Sequence, residues 1–237
     1  MLSQNQMPSS ERLIFALDVP SVAEAQTIVT QLGPSVVFYK CGLELFMAGD
    51  YFELLGWLAG QGKKVFADLK FFDVPNTVGS AIRALRRHHP QFATVHGNDE
   101  ILRAACREKG EMKILAVTVL TSLDSADLKA LGFQTDPQQL VYSRAARALE
   151  IGCDGVISSG LEVEQLRSRL GGKFLVVVPG IRPVENREVD DQKRTVDVED
   201  AFRNGADYIV IGRPIRNAPD PRAAAEKIQD RIARLFA

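Results

Sequence analysis

Three charges crowd an apolar stretch of this chain. Asp68, Lys70 and Asp73 lie within Val65-Phe66-Ala67-Asp68-Leu69-Lys70-Phe71-Phe72-Asp73-Val74-Pro75-Asn76-Thr77. The segment begins as an apolar run and ends where Pro75 suits the first position of a helix. Side chains alternate along a strand, so Asp68 and Lys70 are expected on one face. A carboxylate and an ammonium in so apolar a segment are costly unless paired. The pair alone reads first as a structural ion bridge at a strand end. Asp73, a third charge just past the strand where the chain must turn, argues against a purely structural reading. An ammonium clamped between two acids is a fixed cation with a proton to give, which is the equipment of electrostatic and general-acid catalysis.

Such a cluster needs a frame that brings strand ends together. Eight apolar runs recur along the chain, at 13–17, 36–39, the stretch from Val65, 92–95, 114–120, 155–157, 174–178 and 208–211. A helical pattern follows each. Val22, Ala25, Ile28, Val29 and Leu32 share one face after the first run, and Val78, Ala81, Ile82 and Leu85 share one after the third. Further helices are expected at 51–59, 98–106, 137–149, 162–170 and 198–204. The last carries Ala224, Ile228, Ile232 and Leu235. The runs are almost wholly apolar rather than alternating, as parallel strands covered on both faces must be. Eight such units in 237 residues predict an α/β fold, a (β/α)8 TIM barrel. An open doubly wound sheet is the alternative, but Asp18-Val19-Pro20-Ser21 after the first run is not its glycine-rich turn. No repeat or linker divides the chain. The expected organisation is a disordered tail over 1–11 and one catalytic barrel domain over 12–237. The longest irregular piece, 182–195, has the length of a functional lid.

In a barrel the strand ends gather on one face. Asp18, Lys40, Asp68, Lys70, His96, Thr121, Ser158, Pro179, Gly212 and Arg213 all fall there. Charges crowd the ends of the first three strands. Glycine and arginine crowd the last two, at Gly180-Ile181-Arg182 and Gly212-Arg213, the usual phosphate position of such barrels. Gln192 could close over a phosphate from the long loop. The face therefore predicts a small phosphorylated substrate, with chemistry at one end and phosphate at the other. His96 reads either as a hydrogen-bonded structural histidine or as a catalytic one. Trp57 reads as helix packing, and His88-His89 as a solvated helix end.

Bulk properties narrow the class. Lys plus Arg is 29 and Asp plus Glu is 30, a formal net charge of -1, so no attraction to nucleic acid or anionic membrane is expected. No apolar run approaches the ~18 residues of a membrane span. The first ten residues lack the apolar core of a secretory signal. The three cysteines, Cys41, Cys106 and Cys153, are far apart and lack metal-site spacing, which predicts reduced thiols in a cytoplasmic protein.

Taken together, these residues resemble the orotidine 5'-phosphate decarboxylase family, in its bacterial form. The resemblance runs from Leu13 to Ile215. It rests on Phe15-Ala16-Leu17-Asp18, Tyr39-Lys40-Cys41-Gly42, the D-x-K-x-x-D-x-x-N-T string from Asp68 to Thr77, Val119-Leu120-Thr121-Ser122, Val178-Pro179-Gly180-Ile181-Arg182-Pro183 and Tyr208-Ile209-Val210-Ile211-Gly212-Arg213-Pro214. It implies decarboxylation of orotidine 5'-monophosphate to UMP, the last step of de novo pyrimidine synthesis, with no metal and no cofactor. It also implies a homodimer with active sites at the subunit interface. Lys70 becomes the acid that protonates C6, Asp68 lies beside the substrate carboxylate, and Asp73 and Thr77 reach into the partner's site. Lys40 completes an alternating Asp–Lys network, and Asp18 and Lys40 bind ribose hydroxyls. Thr121 holds the pyrimidine amide and Pro179 lines the base pocket. Gln192, Gly212 and Arg213 hold phosphate, with Arg182 close by. His96-Gly97-Asn98-Asp99 departs from the commoner small-residue, glycine-rich turn. Three rival readings stay open: a Mg²⁺-dependent sugar-phosphate decarboxylase or aldolase of the same barrel suprafamily, a Schiff-base enzyme using Lys70, and a non-catalytic nucleotide-binding module.

Overall fold

Eight short strands pair in parallel and close into a barrel, β1 returning to β8. The computed structural model describes residues 7–182 and 194–237. The strands are β1 (Leu13–Ala16), β2 (Phe38–Gly42), β3 (Lys64–Phe71), β4 (Phe92–Val95), β5 (Lys113–Val117), β6 (Gly155–Ile157), β7 (Leu175–Val178) and β8 (Tyr208–Ile211). Their order in the sheet is their order in the chain. Each expected run became a strand, and each is followed by a helix. The main outer helices are α1 (Val22–Leu32), α3 (Tyr51–Gly60), α4 (Pro75–Leu85), α5 (Asp99–Glu108), α7 (Pro137–Ile151), α8 (Val163–Leu170), α9 (Val198–Arg203) and α11 (Pro221–Phe236). Their starts follow from local chemistry. Ser21 caps α1 by accepting from the Glu24 amide, and Asn98 caps α5 by accepting from Ile101.

Three short helices were not expected: α2 (Leu43–Met47), α6 (Ser125–Ala130) and α10 (Arg213–Arg216). Each is too short to show a period. α6 is held at its start by a reciprocal box between Asp124 and Asp127. Within the stretch expected as a tail, Ser9–Glu11 form a 3-10 turn. Gln229 Nε2 donates to Ser10 O at 3.0 Å and Lys64 Nζ pairs with Glu11 at 2.5 Å.

The alternation of each strand divides the core into two layers. Leu13, Phe15 and Tyr39 face the helices, while Ile14, Ala16, Phe38, Phe66, Phe92, Tyr208 and Val210 fill the barrel. Four of the inner rings form an edge-packed plug. Phe92 lies 5.1 Å from both Phe38 and Tyr208, centroid to centroid, and 5.9 Å from Phe66. This plug is the floor on which the polar face rests. Beneath it, buried Asp207 accepts from Arg167 Nη2 and from the Val176 amide, each at 2.7 Å.

Strand β6 passes very close to β7. A Cβ on Gly155 would stand 2.3 Å from Leu175 O. Backbone cannot retreat as a side chain can, so Gly155→Ala is expected to cost about 2–3 kcal/mol. That corresponds to a Tm lower by roughly 5–10 °C in thermal unfolding. An unchanged Tm would show that β7 yields freely. Two cysteines distant in sequence also meet: Cys106 Sγ lies 3.6 Å from Cys153 Sγ. Spacing along the chain could not show this. No helix among the described residues is long and apolar enough to cross a membrane.

Candidate active site

The mouth of the barrel opens as a cavity of about 880 Å³. Asp18, Lys40, Asp68, Lys70, Thr121, Pro179, Gly180, Arg182, Gly212 and Arg213 all line it. Because β8 pairs with β1, Gly212 lies next to Asp18, and a Cβ on it would stand 4.0 Å from Asp18 Oδ2. Neighbouring strands deliver the charges in sequence. Lys40 Nζ lies 2.9 Å from Asp18 Oδ1 and 3.5 Å from Asp68 Oδ2, and Lys70 Nζ lies 2.9 Å from Asp68 Oδ1. The four side chains thus form one alternating line across β1, β2 and β3. Lys40 and Asp68 are largely buried, whereas Lys70 keeps 35% of its side-chain surface open to the cavity.

The electrostatics follow from this order. Burial alone would raise Asp68, but Lys40 and Lys70, with hydrogen bonds from Lys70 and Thr94, hold its carboxyl below the usual carboxylate range. Burial alone would lower Lys40, but Asp68 and Asp18 hold its ammonium above the ordinary lysine value. Asp68 is therefore ionised and Lys40 charged throughout the physiological range.

Asp68 and Lys70 do share the mouth, though simple alternation does not place them there. The β3–β4 register breaks between Ala67 and Phe71, and Lys70 adopts a left-handed backbone with φ 47°. Asp73 and Thr77 stand apart from the line. Both are exposed, and neither borders the cavity. Asp73 Oδ1 accepts from the Val74 amide at 2.6 Å. Gln192 lies outside the described residues.

The family model for the orotidine 5'-phosphate decarboxylase / HUMPS family matches residues 11–228. The chain belongs to this family. An orotidine 5'-phosphate decarboxylase of Methylococcus capsulatus is 63% identical over 236 residues, covering 100% of this chain and 98% of its own. That of Stenotrophomonas maltophilia is 49% identical over 229 residues, covering 96% and 95%. A crystal structure of orotidine 5'-phosphate decarboxylase from Lactobacillus acidophilus superposes with a TM-score of 0.83 at 36% identity, covering 94% of this chain and 99% of that one.

This member of the orotidine 5'-phosphate decarboxylase / HUMPS family brings further residues to the mouth that sequence reasoning missed. Glu24, Glu44, Ser122 and Arg216 line the cavity. Arg216 Nη1 donates to Asp18 O. Arg194, at the edge of the long loop, is buried behind the β5 exit, and its Nη2 donates to Val119 O and Leu120 O, each at 3.1 Å. Its Nη1 pairs with Glu162, whose carboxyl burial pushes above the ordinary glutamate value despite that partner. Arg194 thereby braces the backbone beside Thr121. Nothing in an irregular charged stretch distinguishes it from its neighbours. Thr94 Oγ1 lies 2.9 Å from Asp68 Oδ1, and a single hydroxyl within an apolar run gives no signal either.

His96 lies off the cavity. Its backbone N–H donates to Phe71 O at 3.0 Å and its ring meets the edge of Phe72. Burial, then the charge of Arg144, pushes its imidazole below the ordinary histidine value. In the following turn Gly97 has φ 129°, and a Cβ there would stand 2.7 Å from Ile101 Cδ1. The backbone there requires glycine, and any side chain would also have to displace Ile101 and Phe72.

Proposed function

We propose that the chain decarboxylates orotidine 5'-monophosphate to UMP and CO2, without metal or organic cofactor, as the last step of de novo pyrimidine synthesis. The observation that carries this reading is the alternating Asp18–Lys40–Asp68–Lys70 line, which shares one cavity with Gly212 and Arg213. A nucleotide monophosphate has the matching polarity, a base at one end and a dianion at the other.

The C6–carboxyl bond breaks and leaves its electron pair on C6, in the ring plane and poorly delocalised. Lys70 then gives that carbon a proton from its ammonium. Before the transfer, the same ammonium, fixed against Asp68, favours the developing negative charge over the substrate. Asp68 borders the substrate carboxylate. Asp18 and Lys40 bind the ribose hydroxyls, Thr121 the pyrimidine amide, and Pro179 lines the base. Gly212, Arg213 and Gln192 hold phosphate beside Arg182. Accelerations of roughly 8–23 kcal/mol exceed what one contact supplies, so phosphate binding remote from C6 contributes. The working unit is a cytoplasmic homodimer of chains whose catalytic domain is 12–237, with Asp73 and Thr77 entering the partner's site. Their exposure, and that of Phe72 at 67% and Val74 at 61%, fits a covered face.

The test mixes chelator-treated protein with orotidine 5'-monophosphate and follows UMP. Formation of UMP supports the reading, and activity lost to chelator and restored by Mg²⁺ would favour a sugar-phosphate enzyme. Arg213→Ala is expected to raise KM for orotidine 5'-monophosphate roughly 10- to 100-fold, the worth of a charge-assisted phosphate contact. An unchanged KM in steady-state assays would remove Arg213 from the phosphate site.

A further inference from the structure

Thr94 is the one polar residue of β4 and is fully buried. It stands two residues after Phe92, so it shares the inner face of the barrel and sits directly above the aromatic plug. Its hydroxyl lies 2.9 Å from Asp68 Oδ1 and 2.9 Å from the Lys70 backbone nitrogen. The proton directions are forced. An amide N–H can only donate and an ionised carboxylate can only accept, so Thr94 accepts from Lys70 and donates to Asp68.

The backbone shows why this matters. Between Ala67 and Phe71 the β3–β4 ladder loses register, and there the Lys70 amide donates to the Thr94 hydroxyl. Lys70 also sits at φ 47°, a region that non-glycine residues seldom occupy. A partly buried amide left without an acceptor is costly, and Thr94 supplies an acceptor for it. The same hydroxyl reaches the oxygen that Lys70 Nζ contacts at 2.9 Å. One side chain therefore ties both ends of Lys70, its backbone directly and its ammonium through Asp68.

We propose that Thr94 is a positioning residue for the decarboxylation: its hydroxyl holds Lys70 in the left-handed backbone and fixes the ammonium against Asp68, in the place where C6 is protonated. This rests on the decarboxylase reading above. Threonine suits the task because its branched side chain is stiff about χ1, so the oxygen stays between its two partners.

Thr94→Val keeps the shape and removes the hydroxyl; Thr94→Ser keeps the hydroxyl. For Thr94→Val, kcat on orotidine 5'-monophosphate is expected to fall roughly 10- to 100-fold. KM and UMP affinity should stay within about threefold. Thr94→Ser is expected to retain most of the turnover. A crystal structure of Thr94→Val is expected to show Lys70 out of the left-handed region, with Nζ displaced from Asp68 Oδ1. Wild-type kcat in Thr94→Val, or a loss in Thr94→Ser as large as in Thr94→Val, would overturn the proposal. So would a Thr94→Val crystal with Lys70 unmoved. Should the valine variant not fold, the serine variant decides, since a large loss with the hydroxyl present sinks the idea. If the wild-type protein makes no UMP, the decarboxylase reading fails, and the position of Lys70 in the variant crystal still decides whether Thr94 holds it.

Discussion

Lys70→Ala is expected to leave a folded protein with no measurable decarboxylation, a loss on the order of 10⁴-fold or more in kcat. Two functions disappear at once: the cation that favours charge at C6 and the proton that ends up there. The other ammonium in the alternating line cannot substitute. Lys40 is already shared between Asp18 and Asp68, and it is more deeply buried than Lys70. The fold should survive because Lys70 is partly open and Asp68 keeps Lys40 and Thr94 as partners. A stability loss of about 1–2 kcal/mol is expected, allowing for that exposure, or a Tm lower by a few degrees. UMP should still bind, because Thr121, Gly212 and Arg213 still line the cavity. The measurements are single-turnover assays, thermal unfolding and UMP titration on one preparation. An active Lys70→Ala enzyme would end the assignment of the proton to this residue.

Lys70 was legible because charge in an apolar run has few structural excuses. The barrel was legible for a related reason: strands buried on both faces read as unbroken apolar runs, and even the three-residue β6 stood out between glycine and serine. The partnership of Asp18, Lys40 and Asp68 was legible only through that topology. Nothing local links residues 22 and 28 positions apart, but the order β1, β2, β3 sets their strand ends side by side. What could not be read depends on fine geometry. The register break that turns Lys70 over, the hydroxyl of Thr94 beneath it, and the reach of Arg194 to Val119 O and Leu120 O are set by tertiary contact. The periodicity of side chains carries no trace of them. Short helices such as α2 and α10 escape for want of turns in which a period could show.

Mixing two dead enzymes is expected to restore activity. Asp73 belongs to the same D-x-K-x-x-D string as Lys70, yet it faces solvent and takes no place in the line of charges on its own chain. The apolar side chains beside it, Phe72 and Val74, are also exposed. If Asp73 completes the partner's site, then Lys70→Ala disables the site on its own chain and Asp73→Ala disables the site opposite. A heterodimer of the two variants carries both lesions in one site and none in the other. Random exchange makes about half the dimers hybrid and leaves half of their sites intact, so about a quarter of wild-type activity should return. If Asp73 instead serves its own chain, each hybrid site lacks either Lys70 or Asp73 and the mixture stays as dead as its parents. Asp73→Ala is on the surface, so loss of fold should not cloud the outcome. The experiment needs only the two variants, conditions that let subunits exchange, and an assay for UMP. A mixture that regains nothing, with exchange shown by a mass-tagged protomer, would return Asp73 to its own subunit and remove the shared site.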